Sequence, residues 1–224
     1  MAPGRPPKTE QPIELPRGLV FGASIWLAAS WLISIGVRPP LQPTSATYTP
    51  AVRMMVVSMM IGTLVAWPLA RLSNDPPRRP LIAPFLDLVS IAALGQIVVW
   101  PLRLVTTWPV ERTSLVSFEL LASAVLAGGL LALVGVERRG RSLAMAGLLA
   151  LVVLPPIAAI AVDTESLGAW SPLARTWVVA GGGPSPIETP AWIPPSIVAG
   201  AGGLLWVVSH RRSRRELTIL PESR

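Results

Sequence analysis

Two carboxylates, Asp87 and Glu119, stand inside long apolar runs. An ionisable group in such a run is costly in lipid. It marks either a proton or cation step, or an ion pair that ties helices together. At ~1.5 Å of rise per residue, Asp87 falls ~10 Å from one face of the membrane and Glu119 ~10 Å from the other. In a hydrocarbon core ~30 Å thick, the two are then ~10 Å apart in depth, too far to share a proton. Each has basic residues within reach. Arg53 lies at a depth compatible with Glu119 and is its expected partner, with Arg103 as a second choice. Ser123 follows Glu119 by one turn on the same helical face. Arg71 or Arg79 can reach Asp87, which shares a face with Ser90. Gln96 is a further polar group that needs a partner. Asp87, Glu119, Arg53, Arg103, Gln96 and Ser123 thus make up a candidate intramembrane polar network, in which stitching of helices outweighs proton or cation transfer.

Other chemistries lack their residues. The chain has no cysteine, so a thiolate nucleophile, a disulfide framework and an iron–sulfur cluster are excluded. Its single histidine, His210, lies beyond the apolar runs, so neither a Ser/His/Asp triad nor a histidine-based metal site is expected within the membrane. No Walker A or GxGxxG loop occurs. No enzyme activity, cofactor or metal is expected. Met54, Met55, Met59 and Met60 read as adaptable apolar filler rather than a metal path.

The elements that must position these groups are membrane spans. Of 224 residues, 51% are hydrophobic and 14% charged, with a mean hydropathy of +0.56. About 25% charged is usual for a soluble domain. Here the charges cluster and leave six stretches of the ~20 apolar residues that a bilayer-crossing helix needs. They run over 18–37, 51–70, 81–102, 114–136, 143–162 and 192–209. The expected fold is an all-α integral membrane protein of six transmembrane helices. A Pro-rich tail (1–17) precedes the membrane domain (18–209), and a basic tail (210–224) follows it. Pro155 and Pro156 should kink the fifth span rather than break it, because neighbouring helices can satisfy the freed carbonyls. The first span is expected to be retained. Its apolar run is longer than the ~7–15 residues of a signal peptide, and Glu10 and Glu14 precede it.

Basic residues set the expected orientation. Arg5, Lys8, Arg17, Arg71, Arg78, Arg79, Arg138, Arg139, Arg141, Arg211, Arg212, Arg214, Arg215 and Arg224 fall on one side. Only Arg38, Arg53, Arg103, Arg112 and Arg175 fall on the other. Both termini should be cytoplasmic. Tryptophans fit a belt at the two interfaces: Trp67 and Trp206 at inner ends, and Trp100, Trp108, Trp170, Trp177 and Trp192 at or beyond outer ends. The net charge of +7 therefore reads as topology signal, and nucleic acid is not expected as a partner. The arginine excess over lysine reads as a GC-rich bacterial coding bias, which points to the cell (inner) membrane.

Loops and small residues add detail. The first outer loop, 38–50, shows no helical pattern. In the long fifth loop, Leu167, Trp170, Leu173, Trp177 and Val178 recur at helical spacing behind Ser171 and Pro172, which suit an N-cap and a first helical position. A short helix in the outer interface is expected there. Small residues at 122–129, 146–150 and 199–203 predict close packing among the last three spans.

Six spans, cytoplasmic termini and a long fifth outer loop resemble, by topology alone, the membrane subunits of certain ATP-driven transporters and of vitamin-uptake transporters. The first resemblance implies an ATPase partner, for which the second loop is short. The expected function is a transport or permease component. The alternative is a structural or assembly subunit of a larger membrane complex. Expected partners are the lipid bilayer and either protein subunits or further copies of the chain.

Overall fold

Backbone in lipid has no water to bond, so apolar runs of this length become helices. The structure, a computed structural model, describes residues 16–36, 44–74, 81–134, 138–162 and 170–219. Most of the Pro-rich tail, Arg38, the turn containing Arg78 and Arg79, and Leu167 lie outside the described residues, as does the end of the basic tail. Among the described residues every regular element is helical. In chain order these are α1 (Arg17–Ser34), α2 (Ser45–Ile61), a π-helical turn (Gly62–Ala66), α3 (Trp67–Ser73), α4 (Ile82–Leu102) and α5 (Val110–Val134). Then follow α6 (Arg138–Val162), α7 (Pro172–Gly181), a 3-10 turn (Thr189–Trp192) and α8 (Ile193–Ile219). With α2, the π turn and α3 as one continuous span, six helices are long and apolar enough to cross a membrane. The chain is a multi-pass membrane protein suited to a lipid bilayer.

Several helices overrun the apolar stretches. The loop expected over 38–50 is already helical from Ser45, because Thr44 caps it. The Thr44 side chain accepts from the Thr47 N–H, and the Thr47 hydroxyl accepts from the Thr44 N–H. Helix α6 runs through Pro155 and Pro156. Helix α8 continues past position 209, so Arg211, Arg212 and Arg214 are borne on helix rather than on a separate tail.

Helix α5 forms the centre of the bundle and packs against α4, α7 and α8. Its buried side runs through Leu115, Val116, Glu119, Ala122, Ser123, Ala127 and Leu131. Contact with α8 is backbone to backbone. A Cβ on Gly129 would lie 2.7 Å from the Gly202 carbonyl oxygen, and one on Gly202 would lie 2.6 Å from the Leu126 nitrogen. Trp206 and Ser209 then donate to the Val125 and Ala132 carbonyls at 3.2 and 2.7 Å. Small residues therefore do join the fourth and sixth spans. Those of the fifth do not contribute: Ala146 and Gly147 face outward, and α6 packs through Ala144, Leu148 and Val152. Met55, Met59 and Met60 are buried in the core, and Met54 is exposed.

Helix α1 is the most peripheral span. Polar groups hold it to α2: Trp26 donates to the Ser58 carbonyl at 3.0 Å, and the Ser30 and Ser58 hydroxyls meet at 2.6 Å. The Trp26 indole lies against Gly62, where a Cβ would stand 2.9 Å from its Nε1. Only glycine admits the ring so close to the π turn.

The contacts also fix the ends of the bundle. The start of α1, the end of α3, the starts of α4 and α6 and the ends of α5 and α8 meet at one end, called proximal here. The start of α5 and the helix α7 meet at the other, the distal end.

Candidate functional site

At the proximal end, Trp67 and Arg71 stand four residues apart on α3 and so share a face. Both reach across to Asp87 on α4, which is wholly buried. Arg71 holds the carboxylate with two nitrogens, Nε on Oδ2 and Nη2 on Oδ1, the latter at 2.8 Å. Trp67 Nε1 donates to Oδ2 at 3.1 Å. A two-nitrogen arginine fork is the strong form of such a pair, and it satisfies a charge that lipid would not. Of the two expected partners Arg71 is the one seen, while Arg79 lies outside the described residues. Ser90 bonds within its own helix, to the Leu86 carbonyl. Trp67 is buried and is no belt residue. Its four-residue offset from Arg71 was the available signal. Arg141 completes this end by donating to the Leu72 and Asn74 carbonyls where α3 stops, a cation at a helix C-terminus.

At the distal end the expected pairing of Glu119 with Arg53 does not form. Glu119, 3% exposed, is taken by the loop helix α7 instead. Arg175 Nη2 binds Oε1, and the Thr176 hydroxyl donates to Oε2 at 3.1 Å. The reason is the packing of α7, whose Pro172, Thr176 and Ala180 are buried against the bundle. That seats Thr176 and Arg175 over the carboxylate before a helix-borne Arg53 can reach it. Ser171 sets the start of α7. Its hydroxyl accepts from the Ala174 N–H at 3.3 Å and donates to the Val152 carbonyl of α6 at 3.1 Å.

Arg53 serves α7 in another way. Its Nε donates to the Trp177 carbonyl at 3.1 Å, and its guanidinium lies 3.9 Å from the centre of the Trp177 ring. Arg112, at the start of α5, donates to the Val179 carbonyl at 2.9 Å and the Ser185 carbonyl at 3.1 Å. Two arginines thus cap the C-terminal carbonyls of α7. They come so near that a Cβ on Gly181 would be 2.6 Å from Arg53 Cζ, and one on Gly182 only 1.8 Å from Arg112 Nη1.

The remaining sequence candidates stand apart from both clusters. Gln96 has its partner on its own helix, since Trp100 Nε1 donates to its Oε1 at 2.9 Å. Ser123 is buried on the face of α5 that carries Glu119. Arg103 caps the end of α4 and is exposed, and it does not approach Glu119 through any bond among the described residues. Of the six residues read as one network, Asp87 belongs to the proximal cluster, Glu119 and Arg53 to the distal one, and Gln96, Ser123 and Arg103 to neither. Arg112, Arg175 and Thr176 were missed because their partners are 56 to 73 residues away in sequence.

Between the two clusters lies a cavity of about 570 Å³. Its walls come from α1, the π turn with α3, α4 and α5. Most lining groups are apolar or small, among them Gly22, Ala23, Ala66, Ala92, Gly95 and Ala124. Trp26 and Trp67 form part of the wall, and the π turn contributes Gly62, Thr63 and Ala66. A π turn widens a helix locally and is frequent where a ligand is accommodated. Arg71 and Asn74 line it proximally and Gln96 distally, with the Thr63 hydroxyl between them bonded to the Met59 carbonyl. Neither Asp87 nor Glu119 lines it. Among the described residues no three His, Asp or Glu side chains stand together as a metal site.

No protein-family model matches the chain, and no curated protein or solved structure matches it.

Proposed function

We propose that the chain is a non-enzymatic transport or permease component whose cargo is an apolar or amphipathic molecule lodged among α1, α3, α4 and α5. The observation that carries this reading is the cavity of about 570 Å³, which lies in the range of ~300–1,000 Å³ typical of small-molecule sites. Among the described residues its lining has no carboxylate, and Asp87 and Glu119 are held in ion pairs. A proton or metal-cation path has nothing to step along there, whereas an apolar molecule entering from lipid meets a matching wall. The unequal count of basic residues supports cytoplasmic termini. The proximal end then faces the cytoplasm of a bacterial cell, and α7 lies at the outer interface. Protein subunits or further copies of the chain are its partners, together with the bilayer.

The alternative, a structural or assembly subunit, draws on one specific observation: among the described residues both buried carboxylates, Asp87 and Glu119, are consumed in tying helices together. Photolabelling separates the two readings. A long-chain alcohol carrying a diazirine is irradiated with the protein in nanodiscs, and the labelled peptides are mapped. Labelling of 22–27 and 92–96 is expected, and Gly95→Leu should abolish it. A Cβ at Gly95 meets only Met59 Cε, at 3.8 Å, so the leucine fits and projects into the cavity. Labels confined to the outward faces of α6 and α8 would remove the transport reading and leave the assembly subunit.

A further inference from the structure

The polar groups of the cavity are not evenly spread. Its wall follows α3 and α2 from Arg71 to Met59, twelve residues and so ~18 Å along the axis. The upper part is mostly apolar up to Gln96, with Thr63 bonded to its own helix. Donors gather at the proximal mouth beside Asn74, whose side-chain amide is spent on the Ala70 carbonyl at 2.7 Å. Arg71 lines it, and only its Nε and Nη2 are spent on Asp87, so its Nη1 has no acceptor among the described residues. Pro16 and Gly18 line it too, so the first turn of α1 with its free N–H groups borders the mouth, and Arg17 stands between them. Asn74 closes the ring, its backbone carbonyl held by Arg141. The acid nearest in the described structure is Asp87. It is fully buried, outside the lining and already bound by Arg71 and Trp67.

We infer that the cavity takes a long-chain amphiphile with an oxyanion head, a carboxylate or a phosphate, whose head rests on Arg71 at the proximal mouth and whose chain runs along the π turn towards Gly95. This inference rests on the cavity being a cargo site. The charge balance of the mouth decides the head group. Among the described residues Arg71 is the charged group of the lining and the nearest acid, Asp87, is already bound, so an anionic head finds a guanidinium nitrogen beside a helix start. The lining decides the chain: glycines, alanines and leucines leave a mostly apolar path, on which the Thr63 hydroxyl is turned to the Met59 carbonyl.

The test uses the full chain in nanodiscs and three diazirine probes of equal chain length: a fatty acid, a monoalkyl phosphate and the fatty alcohol. The fatty acid or the phosphate should label 92–96 on the order of tenfold more strongly than the alcohol, the gain of about one charge-assisted bond. Whichever oxyanion labels better identifies the head, and equal labelling by both supports the shared chemistry. Arg71→Gln alone strands Asp87, so the informative variant is Arg71→Gln with Asp87→Asn, which removes the pair together. That variant should keep alcohol labelling and lose the preference for the anionic probes. Arg17→Gln should lower the preference without disturbing the pair. Equal labelling of 92–96 by alcohol and anions in the native chain would overturn the oxyanion head while leaving a cargo site. Absence of label at 92–96 from all three would overturn both.

Discussion

Glu119 shows how a single carboxylate can be supported by residues far away in sequence. Breaking a buried ion pair by removing one partner costs about 3–5 kcal/mol, mostly because the remaining charge is left unpaired. Glu119→Gln should therefore destabilise the protein by an amount of that order. Arg175→Gln in the same background should add little, since the two act as one unit. Arg53→Gln, by contrast, should add its own cost, because its partners are Trp177 and not Glu119. Thermal unfolding of the two double variants checks this, and an Arg53 effect that vanishes in the Glu119→Gln background would contradict the observed pairing. The sequence singled out Asp87, Glu119 and Arg71, and each stands in an ion pair. It could not choose between Arg53 and Arg175 for Glu119. Depth along a span is legible from residue counts, but the direction from which a loop helix approaches is not.

At the scale of elements, α7 was expected as a helix, but its attachments were not. Its cap and proline were readable at Ser171 and Pro172, and its apolar spacing marked a helix. Read as a connector lying in the interface, it is in fact fastened to α2, α5 and α6 by Arg53, Arg112, Glu119 and Ser171. The fastening depends on two glycines at its end. Gly182→Ala would place a methyl 1.8 Å from Arg112 Nη1 and force that side chain off the Val179 and Ser185 carbonyls. Hydrogen exchange of 172–181 should speed up markedly in this variant, while 120–131 of α5 stays protected. Unchanged exchange in α7 would show that the arginine cap does not hold it. Helix α6 illustrates the opposite limit of sequence reading. Its alanines and glycine look like a packing face, yet the face that packs is the one bearing Leu148 and Val152, because α5 offers an apolar rather than a backbone surface there.

For the whole molecule, six apolar helices were legible from hydropathy alone, since length and lack of charge suffice to define a span. The cavity was not. It arises where α1 stands off the bundle on two serines and a tryptophan, and where a π turn replaces regular helix, neither of which leaves a periodic mark. Orientation can be read with single cysteines, because the native chain has none. Cysteines at Thr47 and Ser185 should react with an impermeant thiol reagent added outside intact cells, and one at Asn74 should not. Reaction at Asn74 from outside would reverse the proposed topology and place the mouth of the cavity on the other leaflet.

The fastening of α7 also has a history in time. Arg53 binds a carbonyl 124 residues further on, and Glu119 an arginine 56 residues further on. At ~5–20 residues per second, Arg53 is made on the order of ten seconds before Trp177 exists. Throughout that interval the growing chain holds a basic group in α2 and then an acidic one in α5, with their final partners not yet synthesised. The distal cluster therefore forms only after five of the six spans have been made. A ribosome that stalls before position 172 leaves a chain with five spans that lacks α8 and both partners of Glu119.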